Sequence, residues 1–140
     1  MNEIEAAIEA AGYKSFAAAL AASTYGEVLV SGGPYTIFAP TDAAFAKFPK
    51  RSLAVLREDA KLLRAVVGHH FAAGKVLSRQ FIGKRIRAAT YSGESVVIED
   101  ADGLHVNKAK LVQADVMIGS CVLHGIDAVL WPREPLAVAV

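Results

Sequence analysis

Cys121, His124 and Asp127 lie three residues apart, a thiol, an imidazole and a carboxylate in the order that thiol catalysis could use. In an extended strand, however, a three-residue step puts Cys121 and His124 on opposite faces. Bringing them together would take a bend at Gly119 or Gly125. A lone cysteine more often serves as a small core hydrophobe, and nothing around the trio selects a substrate. An enzyme is therefore not expected, and no catalytic residue is assigned. The four histidines suggest metal binding only weakly. In a strand, adjacent His69 and His70 would point to opposite faces, and His105 and His124 are distant in sequence. A metal site needs three or four converging ligands. No such set stands out, so neither metal nor cofactor is expected. Phosphate-cradling glycine loops, Gly-x-Ser-x-Gly, Cys-x-x-Cys and His-Glu-x-x-His are all missing.

His70 and His124 sit in apolar surroundings, Val66-Val67-Gly68 with Phe71 and Val122-Leu123 with Ile126. A buried imidazole without a hydrogen-bond partner costs about 1–3 kcal/mol. Thr41, Asp42 and Asn107 lie near breaks in the pattern and could serve as partners. The expectation is a structural polar network of Thr41, Asp42, His70, Asn107 and His124 that pins a helical half to a strand half.

The elements that must hold these residues follow from periodicity. Ile4, Ile8 and Ala11, with Glu3, Glu5 and Glu9 between them, predict a helix stopped by Gly12. A second helix carries Phe16 and Leu20. Ser31-Gly32-Gly33-Pro34 is the clearest breaker and precedes the short buried strand Tyr35-Thr36-Ile37-Phe38. Pro40 ends that strand, and Thr41 or Asp42 caps the next helix. Residues 52–67 predict one or two packed helices. Beyond Gly68 the texture turns to strands. Lys84–Tyr91 and Glu94–Glu99 form a hairpin across Ser92-Gly93, and Asp100–Gly103 makes another turn. Leu104–Val106, Lys110–Val116 and Cys121–Leu130 follow as strands, and Pro132 and Pro135 close the domain. Helices first and strands second predict an α+β fold.

At 140 residues the chain makes one domain, 1–140, with its core about 3–132 and a short C-terminal tail. Composition, 54% hydrophobic and 21% charged, excludes the disordered class. A net charge of +1 selects no partner. Residues 60–93 do hold seven cations and no acid. Only Phe81 and Tyr91 are interleaved there for base stacking, so nucleic acid is not expected. The longest apolar run, Phe16–Ala22, is far too short to span a bilayer, and no secretory leader is visible.

Thr36-Ile37-Phe38-Ala39-Pro40-Thr41-Asp42-Ala43-Ala44-Phe45 resembles the first signature of the fasciclin-like adhesion domain. Val106-Asn107 through Ala114-Asp115, then Val122 to Leu130, resembles the second. His69-His70 with Gly74-Lys75-Val76 falls where the family carries Tyr-His and a turn. The resemblance implies a wedge or sandwich of about seven strands with helices along one side. It also implies a non-catalytic adhesion module, monomeric, that is secreted, periplasmic or held at the cell surface once a leader is removed. The partner would be a cell-surface or matrix protein or a polysaccharide, without membrane insertion. In some animal members the Tyr-His region and an Asp-Ile dipeptide are implicated in integrin binding. The corresponding partner-binding candidates are His69, His70, Asp115 and Val116, although the tyrosine is lost and Val116 replaces isoleucine. The alternatives are a small-ligand or polysaccharide module using a cleft between helices and strands, and an enzyme built on Cys121, His124 and Asp127.

Overall fold

A computed structural model describes residues 3–25, 34–100 and 102–131. The Ser31–Gly33 part of the first breaker, together with Pro132 and Pro135, lies outside these residues. The chain opens with α1 (Glu3–Ala10) and α2 (Lys14–Ser23). Gly12 separates them with φ +102°, a backbone region that costs a side-chain-bearing residue dearly. Ile8 of α1 and Phe16, Ala17 and Leu20 of α2 are buried in one cluster, as the spacing predicts.

Strand β1 (Tyr35–Pro40) follows, then α3 (Asp42–Lys47), α4 (Lys50–Glu58) and α5 (Ala60–Gly68). Residues 52–67 are therefore two helices rather than one. Asp59 divides them, its carboxylate accepting the Leu62 N–H at 3.0 Å to cap α5. The remaining strands are β2 (Phe71–Ala73), β3 (Arg85–Ala89), β4 (Ser95–Asp100), β5 (Leu104–Val106), β6 (Ala109–Ile118) and β7 (Cys121–Ile126), with a 3-10 turn at Ser78–Gln80.

One seven-stranded sheet runs in the order β2-β1-β7-β6-β5-β4-β3. At its centre β1 and β7 pair in parallel, Thr36 opposite Val122 through Pro40 opposite Ile126. Every residue of both strands is buried. Burial on two faces explains why both strands read as continuous apolar runs with no alternation. The outer strands curl until Ala72 of β2 bridges Thr90 just beyond β3, so the sheet nearly closes on itself. One side of the β1–β7 pair (Ile37, Ala39, Cys121, Leu123) packs with α1, α2 and Phe71. The other side (Phe38, Ile126) packs with Phe81, Val96, Ile98 and Val106 inside the curl. This is the α+β wedge that the sequence predicts.

The helices dock on the sheet through Tyr13, whose ring lies across Gly125. A Cβ on that glycine would stand 2.9 Å from Tyr13 Cζ. The Tyr13 hydroxyl continues over β7 to donate to Gln113 Oε1 of β6. Strand β7 ends earlier than predicted, at Ile126. Past that point Asp127 secures the chain, its carboxylate accepting the Lys110 N–H at 2.8 Å and its own N–H donating to the Lys110 carbonyl.

Candidate functional site

His69 and His70 do not lie in a strand. They follow the last turn of α5, with His69 in the C-cap position, and their rings bond to different partners. His70 is 1% exposed and stacks obliquely against Phe16. Its Nδ1 stands 2.7 Å from the Val66 carbonyl, and its Nε2 accepts the Leu130 N–H at 2.9 Å. A carbonyl only accepts, so the proton must be on Nδ1 and the ring is neutral. Burial holds its pKa down at about 3, with the Val66 hydrogen bond opposing and the neighbouring His69 reinforcing. The His69 Nδ1 lies 2.9 Å from Ser92 Oγ and 3.2 Å from Thr90 Oγ1. Burial lowers its pKa as well, partly offset by Glu94.

His124 fills the opposite interior, between Phe38 and Phe81. It accepts the Asp115 N–H on Nδ1 at 3.1 Å and donates from Nε2 to the Val76 carbonyl at 2.9 Å. Burial pushes its pKa down, against the pull of the Val76 hydrogen bond and the Asp115 charge. The Asp115 carboxylate comes within 3.9 Å of the same Nδ1, but that nitrogen bears no proton, so the contact is not an ion pair. Asp115 sits at φ +60° in the bulged stretch of β6. Its two oxygens accept the Ser78 N–H at 2.8 Å and the Ser78 hydroxyl at 2.5 Å. Partial burial raises its pKa, but the Ser78 bonds, with His124 and Arg79, bring it below the usual carboxylate value.

The five residues of the expected polar network are each hydrogen-bonded, but to partners outside the set and not to one another. Thr41 caps α3 by accepting the Ala44 N–H at 3.0 Å. Asp42 accepts the Ser15 N–H at 2.9 Å, joining the start of α3 to α2. Asn107, at φ +53° in the β5–β6 turn, accepts the Val97 N–H at 2.9 Å. None of the three is recorded in a hydrogen bond with His70 or His124, contrary to expectation. Those rings are satisfied by the main chain of Val66, Val76, Asp115 and Leu130. A main-chain partner leaves no signature in residue identity, so sequence reasoning misses it.

Among the four partner-binding candidates, the structure places His69 and His70 inside, leaves Val116 half-buried against the core and exposes Asp115. Cys121 is buried with Leu123 on one side of β7, and His124 faces the other. The sheet itself thus divides the thiol from the imidazole, and Asp127 is committed to Lys110. Among the described residues no group of three or more His, Cys, Asp or Glu side chains is arranged to hold a metal.

A model of the fasciclin domain matches residues 11–132. Protein sll1483 of Synechocystis is 33% identical over 94% of this chain and 74% of its own length. The cell surface glycolipoprotein MPB83 of Mycobacterium bovis is 37% identical over 74% of this chain, which spans 46% of that relative. Among solved structures, a FAS1 domain pair from the insect cell adhesion molecule Fasciclin I superposes with a TM-score of 0.66 at 16% identity. The match covers 87% of this chain and 46% of that one, and it shows the shared fold. With its two signatures on β1–α3 and β6–β7 and a family model that matches residues 11–132, this chain belongs to the fasciclin domain family.

Proposed function

We propose that residues 1–140 form one non-catalytic adhesion domain, acting outside the cytoplasm and binding a cell-surface or matrix protein. The observation that carries this reading is the bulged stretch of β6. A strand normally turns alternate residues inward, yet residues 112–115 are exposed in succession. Val112 is 53% and Met117 50% exposed, with Asp115 between them. The stretch is also held in shape, because Asp115 is bonded through its carboxylate to Ser78 and through its N–H to His124. A pre-shaped, partly apolar surface loses little freedom on binding. The groups that could do chemistry are meanwhile committed internally. The names of relatives support the compartment and the role, one being a cell surface glycolipoprotein and another a cell adhesion molecule. No helix of the described residues is long and apolar enough to cross a membrane.

Beads coated with the domain should attach to cells more strongly than beads coated with an unrelated protein. A Val112→Ser/Met117→Ser double variant should lose most of that attachment while keeping its melting temperature. Attachment no better than the unrelated protein, or unchanged in the double variant, would contradict the reading.

A further inference from the structure

A second feature, which shares no residue with the β6 bulge, is a solvent-open cleft of about 610 Å³. It runs between the β3–β4 hairpin, the β5–β6 turn and the segment that follows β7. Its polar lining is His69 at the end of α5, Arg87 on β3, Glu94 and Ser95 at the start of β4, and Asn107 and Lys108 in the turn, with Trp131 beside them. Much of the rest is apolar, Val97 and Leu130 included.

Its hydrogen-bonding capacity is lopsided. Arg87 and Lys108 are exposed and carry no ion pair among the described residues, where the one Arg–carboxylate pair is Arg85 with Glu99. Asn107 accepts the Val97 N–H on its Oδ1, so what its side chain has left to offer is the two amide N–H donors. Trp131 Nε1 is buried and has no acceptor among the described residues. An indole N–H, an ammonium, a guanidinium and a carboxamide N–H are all donors. Glu94 is the one acid on the lining, and it is already engaged in an interaction of its own. The cleft therefore sets two cations without an ion pair against one acid that is already engaged, and positive charge prevails on its lining. Arginine's planar fork suits a carboxylate in particular. Walls that mix apolar surface with donors suit a ring bearing both C–H faces and hydroxyls. An open cleft, not an enclosed cavity, admits a stretch of a longer chain.

We propose that this cleft binds a carboxylated saccharide, a segment of an acidic polysaccharide, with Arg87 and Lys108 holding the carboxylates and the apolar wall that includes Trp131 packing against a sugar ring. This binding is independent of protein adhesion through β6, and either can fail without the other.

Trp131 is the chain's single tryptophan and lines this cleft, so tryptophan emission is read from the cleft's wall. The full chain would be titrated with tetragalacturonic acid, following heat by calorimetry and Trp131 emission together. Three controls run beside it: the methyl-esterified tetramer, an alkyl dicarboxylate, and added salt. The acid should bind and shift the emission. The ester and the dicarboxylate should each bind at least about tenfold more weakly, and salt should weaken the acid. Arg87→Gln and Lys108→Gln should each cost about tenfold in affinity at an unchanged melting temperature. Lys75→Gln, away from the cleft, should change nothing. Absence of binding would overturn the proposal, as would equal binding of the ester or wild-type affinity in both cleft variants. Equal binding of the dicarboxylate would overturn its saccharide part.

Discussion

His70 illustrates how a residue type that often does chemistry becomes a structural pin. Both ring nitrogens are used, one donating to Val66 and the other accepting from Leu130, and no apolar side chain of similar shape could satisfy those two main-chain groups. The same holds for His124 between Val76 and Asp115. Neutrality has a consequence for acid stability. Unfolded, an imidazole takes its proton near pH 6.5; folded, His70 resists it down to about 3. Between those values the unfolded chain binds the extra proton, so stability is full above about pH 6.5 and falls as pH drops. His70 alone should contribute a slope of about 1.4 kcal/mol per pH unit through that window. His69 and His124, whose pKa values are lowered too, add in the same direction. Asp115 works at lower pH, because its lowered pKa confers stability that is lost only below the ordinary carboxylate value. Urea midpoints measured from pH 7.5 to 4.5 should decline steadily below 6.5. A flat profile would show that these rings are not buried neutral.

At the scale of elements, the decisive contacts are between the helical layer and the two central strands. Gly125 is where the layers come closest, since any side chain there would occupy the space of the Tyr13 ring. Tyr13 sits at the break between α1 and α2, so displacing it shifts both helices and breaks its bond to Gln113. Gly125→Ala should cost about 1–3 kcal/mol through overpacking, and more if the Gln113 bond is lost. Thr41→Ala removes one cap and should cost about 1 kcal/mol. Urea denaturation of the two variants should place Gly125→Ala below Thr41→Ala, and the reverse order would mean that Tyr13 can swing aside at little cost.

Across the whole molecule, the two larger of three core clusters among the described residues share one structural member. The β1–β7 pair contributes Ile37 and Leu123 to the helical side and Phe38 and Ile126 to the inside of the curl. Neither cluster can come apart without exposing strands on which the other is built. Unfolding should therefore be a single cooperative transition. Trp131 emission, reporting where Phe48 stacks on the indole at 5.4 Å, should follow the same curve as far-ultraviolet circular dichroism. Two separated midpoints would show that the halves unfold independently.

Several features were legible in the sequence because their causes are local. The Gly12 break, the Thr41 cap, the apolar runs of β1 and β7 and the hairpin around Ser92-Gly93 each depend on neighbouring residues. The spacing of two signatures around His69-His70 carried the family. Other features depend on residues far apart in the chain. Asp115 meets Ser78 across 37 positions, and the Leu130 N–H reaches His70 across 60. The partners of both buried rings are main-chain groups, which every residue possesses, so residue identity could not single them out. Parallel pairing of β1 with β7, the sealing of Cys121 away from His124 and the donor-lined cleft beside Trp131 likewise arise only when distant segments are packed together. Local chemistry chose the elements, and closing the sheet decided which of their side chains were spent inside and which were left facing out.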